Sequence, residues 1–263
     1  MELFCIFGDP INHSKSPLMH NSAFMAFGIN SCYTRYLLKD GKSLKNRFLN
    51  LNLKGANITV PHKEDAFLAC DEIRGVAKKI GAVNTIVLEK DKIIGYNTDA
   101  LGFMESIKEF DFKNALILGA GGTAKAIAEI FNEKKIDFTI INRTQKRLKE
   151  FQKKGYRCYS WQEFKIESFD LIINTTSAGL DNSSLPLEKE KLLNLFDSAK
   201  FAVDVIYGKE TPFLSLAKKR AIITKDGKDM LLYQGVLAFE IFTNFKYSKD
   251  EIKEYMQKGL ELF

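Results

Sequence analysis

Residues 114–131 read NALILGAGGTAKAIAEIF, and this stretch decides the fold. The run Ala115 to Leu118 has the length and composition of a strand buried on both faces. Gly119, Ala120, Gly121 and Gly122 permit a tight turn, and from Thr123 the apolar spacing becomes that of an amphipathic helix. Strand, glycine turn and helix, in that order, are the context in which a GxGxxA pattern sets a pyrophosphate on helix N-terminal amides. A tight βα turn without a ligand is the plain alternative. The next strand, DFTIIN, ends at Asn142, where an NAD-binding fold usually carries an acid for the ribose 2′-hydroxyl. Here the chain continues Asn142, Arg143, Thr144, then Arg147 within NRTQKR. Such arginines would hold a 2′-phosphate through charge-assisted hydrogen bonds, with Arg143 free to stack on adenine, so the pattern points to NADP. Two arginines at a solvated helix start are the competing reading.

Outward from this turn, strand and helix signals alternate along the 263 residues. LFCIFG, SCYTRYLL and GANITV read as strands separated by helix-like segments, the rhythm of a mostly parallel sheet. NTIVLEKDKIIGYNTD differs, being two β-rich runs about a Glu-Lys-Asp-Lys turn, which predicts a hairpin. The alternation restarts after residue 100. The expected architecture is therefore α/β. An N-terminal α/β substrate domain spans residues 1–100, and a C-terminal Rossmann-like dinucleotide-binding domain spans 101–232, with a cleft between them. The segment GKDMLLYQGVLAFEIFTNF has a wide apolar face and no strand after it, so the helices of 233–263 are expected to pack back on the first domain.

An apolar share of 45% is that of an ordinary globular protein. The net charge of +6 comes from lysines that alternate with acids, and no basic run is interleaved with aromatics, which argues against nucleic-acid binding. Cys5, Cys32, Cys70 and Cys158 form no CxxC pair, and the three histidines are scattered, so reduced thiols and no metal are expected. The N-terminal apolar run is short for a signal peptide and no run approaches a membrane span, so a cytoplasmic protein is expected.

A bound nicotinamide would need a substrate seat and a proton donor near the reacting oxygen. In GDPINHSKSP, Ser14 and Ser16 flank Lys15 and could together donate to one carboxylate, although a serine-rich helix cap is the bland alternative. In NITVPHK, alternation sends Ala56, Ile58 and Val60 to the core and Asn57, Thr59 and Lys63 toward the cleft, with Pro61 ending the ladder. Asn84 begins the hairpin segment and Asp99 ends it. Taken singly, each of these is an ordinary loop polar residue.

The set GDPINHSKSP, GANITVPHK, GAVNT, GYNTDALGF, GAGGTAKA, NRT and DGKDMLLYQGVLAFE resembles the shikimate dehydrogenase family in order and spacing over the whole chain. The resemblance implies NADPH-dependent reduction of 3-dehydroshikimate to shikimate in aromatic amino-acid biosynthesis. It implies Lys63 and Asp99 as the catalytic pair, and Ser14 and Ser16 as carboxylate-binding serines. Thr59, Asn84, Asp99, Gln234 and Tyr207 would be the other substrate contacts. It implies Gly119 to Thr123 at the diphosphate, Asn142, Arg143, Thr144 and Arg147 at the 2′-phosphate and adenine, and Ile206 at the nicotinamide. Asp229 stands where the family commonly has glycine, beside the nicotinamide, and would either alter how the ring seats or face solvent. The implied partners are a small-molecule substrate, no nucleic acid and no membrane, with the chain a monomer or homodimer. An NAD-using quinate/shikimate dehydrogenase and a catalytically silent nucleotide-binding sensor are the alternatives.

Overall fold

The computed structural model describes residues 1–261. The chain forms two compact units, Met1–Glu105 together with the residues from Leu231 on, and Ser106–Met230. The first contains strands β1 (Glu2–Gly8), β2 (Ser31–Leu37), β3 (Leu53–Ile58), β4 (Glu72–Ile73), β5 (Thr85–Glu89) and β6 (Lys92–Tyr96). Their order is β2-β1-β3-β5-β6-β4, with β1 parallel to β2 and β3, and β5 antiparallel to both β3 and β6. Helices α1 (Ser16–Ala26), α2 (Leu44–Asn50), α3 (Lys63–Ala69) and α4 (Ala77–Ile80) lie between them in the chain, and α5 (Asp99–Ser106) follows β6.

The second unit is the one announced by the glycine turn. Strands β7 (Asn114–Leu118), β8 (Asp137–Asn142), β9 (Cys158–Ser160), β10 (Leu171–Asn174), β11 (Phe201–Asp204) and β12 (Ile223–Lys225) all pair in parallel in the order β12-β11-β10-β7-β8-β9. Read from the β9 edge this is the 3-2-1-4-5-6 order of a dinucleotide-binding fold, whose switch point lies between β7 and β10. The helices are α6 (Gly122–Glu133), α7 (Lys149–Lys153), α8 (Lys189–Phe196) and α9 (Pro212–Lys218). Strands β10 and β11 are buried at every residue, as strands covered on both faces must be. Helix α10 (Lys228–Phe242) begins in this unit and continues into the first, followed by α11 (Lys249–Glu261).

Strand periodicity divides the first unit's interior in two. Along β1, Phe4 and Ile6 join a cluster with Met19 and Phe24 of α1, Val236 and Phe239 of α10, and Ile252 and Met256 of α11. The alternate residues Cys5 and Phe7 face a second cluster with Leu44 and Phe48 of α2 and Ala66 of α3. The predicted hairpin is β5–β6. Glu89 pairs with Lys92, and the two loop residues Lys90 and Asp91 both have positive φ, 46° and 63°, the type I′ geometry that matches strand twist.

One expectation for NITVP fails. β3 is interior to the sheet, it ends at Ile58, and Val60 is 66% exposed rather than in the core. Alternation reports a sheet face only while the backbone stays in the sheet, and beyond Ile58 it has left. Asn57, expected to face outward, is 4% exposed within a polar network.

His20 of α1 is fully buried, stacked on Tyr33 at 4.3 Å and ringed by Phe24, Phe239 and Phe242, and neither ring nitrogen has a hydrogen-bond partner among the described residues. Burial pushes its imidazole down to about 3. Because the folded value is depressed, His20 leaves stability intact above the unfolded value near 6.5 and removes it as pH falls below that. Between about pH 7 and about pH 5 the parent should lose about 2 kcal/mol more unfolding free energy than a His20→Phe variant. Urea denaturation at the two pH values measures this, and equal losses would contradict it.

Candidate functional site

The first unit gathers its polar residues at one edge of its sheet. β1 and β3 are parallel, so the loops after them leave the same edge; β5 is antiparallel to β3 and β6 to β5, so the start of β5 and the end of β6 lie there too. Ser14 and Ser16 follow β1, Thr59 and Lys63 follow β3, Asn84 precedes β5, and Asp99 follows β6. This is the carboxyl edge at which open α/β sheets take ligands.

Lys63 is the first residue of α3, and its Nζ lies 2.6 Å from Asp99 Oδ2. Their side chains are 18% and 11% exposed, little enough that the pair is weakly screened and open enough for a ligand to reach it. The start of α3 is fixed on both sides. Val83 N–H donates to Lys63 O at 2.9 Å, and His62 Nε2 donates to Leu38 O at 2.6 Å. The segment Asn97-Thr98-Asp99 does the same for the carboxylate. Asn97 Oδ1 accepts from the backbone N–H of Asp99 and Ala100, capping α5, and Thr98 N–H donates to Asn84 Oδ1 at 2.8 Å. Asn84 Nδ2 then donates to Asp99 Oδ1 at 2.8 Å. Each carboxylate oxygen thus has its own partner, and the charge sits at a helix N-terminus where it is favoured.

Ser14 Oγ donates to Ser16 Oγ at 3.3 Å, and both residues are buried. Their loop is held by Arg35, whose Nε and Nη2 donate to Ser14 O at 2.9 and 2.5 Å. Arg35 drew no notice in the sequence because a strand arginine carries no pattern of its own. Thr59 is half-buried, its backbone N–H donating to Phe7 O at 2.8 Å. Gln234 lies on α10 against Gly102 of α5, where an added Cβ would stand 2.7 Å from Gln234 N. Its Nε2 donates to Leu231 O at 2.8 Å.

In the second unit, Gly119 has φ +114°, and an added Cβ there would lie 2.6 Å from Thr175 Oγ1. The turn itself therefore demands glycine at that position. Gly121 and Gly122 differ, because an added Cβ at either meets nothing within 4 Å. The fold does not need these two glycines. The open space they leave at the N-terminus of α6 is what a diphosphate requires. A cavity of about 550 Å³ is lined by Gly119, Ala120 and Gly121 on one side and by Asn142, Arg143, Thr144 and Arg147 on another. Thr123 follows on the first turn of α6. Arg143 and Arg147 are exposed, and neither guanidinium has an ion-pair partner among the described residues, whereas Asn142 Nδ2 steadies the loop through Thr144 O at 2.9 Å. The residues present fit a dinucleotide with a 2′-phosphate.

Trp161 and the loop Thr175–Ala178 also line this cavity. The sequence reading missed both. Trp161 is the chain's single tryptophan and lies far along the chain from the glycine turn, while the NTTSAG loop follows β10 and so borders the switch point. Ile206 is buried and Tyr207 half-buried after β11, and burial raises the Tyr207 phenol. That turn is fixed by Asp204, whose carboxylate accepts from Asn174, Thr211 and the Ile206 N–H, while burial raises its pKa. Asp229, half-exposed, pairs with Lys225 at 3.0 Å. Burial alone would lower Lys225, but its bonds to Glu109 and Asp229 raise it, so the Asp229 charge is already partnered.

Two family models match the chain, one described as the shikimate dehydrogenase substrate binding domain over residues 6–86 and one as shikimate / quinate 5-dehydrogenase over 103–205. A protein of Helicobacter hepaticus named shikimate dehydrogenase (NADP(+)) is 51% identical over 95% of this chain and 94% of its own length. One of the same name from Pyrococcus furiosus is 35% identical over 92% and 90%. Among solved structures, shikimate 5-dehydrogenase of Thermus thermophilus in complex with NADP(H) and shikimate has a TM-score of 0.84 and 30% identity, covering 98% of this chain and 100% of that one.

Replacing Arg143 with Ala should weaken a 2′-phosphorylated dinucleotide about ten- to a hundredfold and its unphosphorylated counterpart much less, since a hydrogen bond to a charged group is worth roughly 1.5–3 kcal/mol. Titration of Trp161 fluorescence measures both affinities, and equal losses would remove Arg143 from phosphate recognition.

Proposed function

This chain belongs to the shikimate dehydrogenase family, and on that premise we propose that it reduces 3-dehydroshikimate to shikimate with NADPH, reversibly, as a step toward chorismate and the aromatic amino acids. The observation that carries the reading is the Lys63–Asp99 pair, with Asn84 on the second carboxylate oxygen. The open glycines, beside two arginines with no ion-pair partner among the described residues, support NADP as the cofactor.

NADPH, when bound, supplies the hydride that reaches the ketone carbon. Lys63 Nζ donates the proton to the developing alkoxide oxygen and is reprotonated from solvent, so one hydride and one proton convert the carbonyl to the alcohol. Asp99 Oδ2 holds the ammonium in one orientation and balances its charge. Ser14 and Ser16 bind the substrate carboxylate, while Thr59, Asn84, Tyr207 and Gln234 hold the ring hydroxyls and the reacting end. Gly119, Ala120, Gly121, Gly122 and Thr123 receive the diphosphate, and Asn142, Arg143, Thr144 and Arg147 the adenosine 2′-phosphate. Ile206 lines the nicotinamide pocket, and Asp229 stands beside it with its charge balanced by Lys225. On the same reading the enzyme works in the cytoplasm as a monomer or homodimer, with no nucleic-acid or membrane partner.

The assay is shikimate-dependent reduction of NADP+, followed by absorbance, with NAD+ and quinate as comparison substrates. Turnover with shikimate and NADP+ supports the reading, and binding of both without turnover would favour a silent sensor. Lys63→Ala should lower turnover about a hundred- to ten-thousandfold with NADPH affinity nearly unchanged. Retention of more than about a tenth of parental turnover would remove Lys63 from the chemistry. Replacing both Ser14 and Ser16 with Ala should raise KM for shikimate more than it lowers kcat, because those contacts exist in ground and transition states alike. A collapse of kcat at constant KM would reassign the serines.

A further inference from the structure

Behind the Lys63–Asp99 pair lies a run of buried side chains of which Asn84 alone has a part in the proposed reaction, the rest having none. Tyr33 is 2% exposed, Asn57 4%, Thr85 0% and Asn84 2%. Tyr33 Oη lies 2.6 Å from Asn57 Oδ1, Asn57 Nδ2 lies 3.0 Å from Thr85 Oγ1, and Thr85 Oγ1 lies 3.0 Å from Asn84 Oδ1. Asn84 Nδ2 closes the run on Asp99 Oδ1 at 2.8 Å.

The direction of donation follows from groups that can act in one sense only. Asn57 Nδ2 also faces the Asn84 backbone carbonyl at 3.3 Å, and a carbonyl only accepts, so the amide nitrogen must be on that side. Its oxygen then faces Tyr33, which must donate. At the other end the Thr98 backbone N–H donates to Asn84 Oδ1, so Asn84 Nδ2 is turned to the carboxylate. Between them Thr85 accepts from Asn57 and has one proton left, which goes to Asn84 Oδ1. Thr98 Oγ1 is a side branch, 3.0 Å from Asn84 Nδ2 and 3.4 Å from Thr85 Oγ1. The donor end does not titrate in the working range, because burial raises the Tyr33 phenol well above its ordinary value.

We propose that Tyr33, Asn57 and Thr85 are positioning residues, forming a one-directional hydrogen-bond chain that ends on the Asp99 carboxylate and holds it, and through it Lys63, in the reactive orientation. Donors aligned in one sense polarise one another, strengthening each bond by roughly 10–30%. The last bond in the chain is the one Asp99 receives. A carboxylate held on one oxygen by this chain cannot rotate to offer Lys63 a different geometry. Small misplacements of a reacting group cost rate out of proportion to their size.

The proposal rests on the assignment of Lys63 and Asp99 as the catalytic pair, and its test has a readout independent of turnover. Thr85→Val is nearly isosteric and removes both the acceptor and the donor at the chain's middle, Thr85→Ser restores them, and Tyr33→Phe removes the first donor. In shikimate oxidation Thr85→Val should lower kcat about tenfold with KM for shikimate within about threefold, and Thr85→Ser should return kcat to within about twofold of the parent. Tyr33→Phe combined with Thr85→Val should lower kcat no further than Thr85→Val alone, because one chain is broken once. Labelling of Lys63 by an amine-acylating reagent, read by mass spectrometry, should be several-fold faster in Thr85→Val than in the parent and parental in Thr85→Ser. Equal labelling of parent and Thr85→Val overturns the proposal whatever the activities. Accelerated labelling of Thr85→Val, found together with a parent that fails to oxidise shikimate, would sustain the chain and sink the assigned reaction instead.

Discussion

The 2.6 Å ion pair between Lys63 and Asp99 is the constraint around which the first unit is arranged. Two charges this close and this shielded are costly unless their remaining hydrogen-bonding capacity is filled. The chain fills it locally and redundantly. Asn97 caps the helix that Asp99 begins, Thr98 orients Asn84, and Asn84 takes the second carboxylate oxygen. On the lysine side, His62 and Val83 fasten the first turn of α3 to its neighbours. Mixed strand directions make this possible, since the antiparallel β5–β6 hairpin returns Asn84 and Asp99 to the edge from which β3 delivers Lys63.

The second unit solves a different problem with the opposite means. Strands β10 and β11 of its parallel sheet are buried throughout, and its ligand-facing surface is made by leaving atoms out. Gly119 is required by its own backbone, while Gly121 and Gly122 keep space clear at the start of α6. Arg143 and Arg147 line the cavity with no ion-pair partner among the described residues, whereas Asp229 is tied to Lys225. A positive rim beside a helix N-terminus kept open by glycine suits a dinucleotide phosphorylated on the ribose.

Much of this was legible in the sequence, because the signals are local. The strand–glycine–helix run at 114–131, the Glu-Lys-Asp-Lys hairpin turn and the missing acid after β8 each lie within a few residues. What was not legible depends on distant pairing. Val60 looked like a core residue because alternation continues past the point where β3 ends, and Asn57 looked outward because its partners, Tyr33 and Thr85, come from other strands. Trp161 and Arg35 have no motif, and only the fold brings one to the nucleotide cavity and the other to the serine loop. The short strands β4 and β9 escaped notice for the same reason, being too brief to show a period.

The central claim is that the Lys63–Asp99 pair moves the proton that accompanies hydride transfer. The most direct test is the primary deuterium isotope effect on reduction of 3-dehydroshikimate with NADPH deuterated at the transferred position, compared between the parent and Lys63→Met. If Lys63 delivers the proton, the variant should be slow and its isotope effect larger than the parent's, because the chemical step then limits turnover alone. A variant that keeps the parental rate and isotope effect would contradict the account.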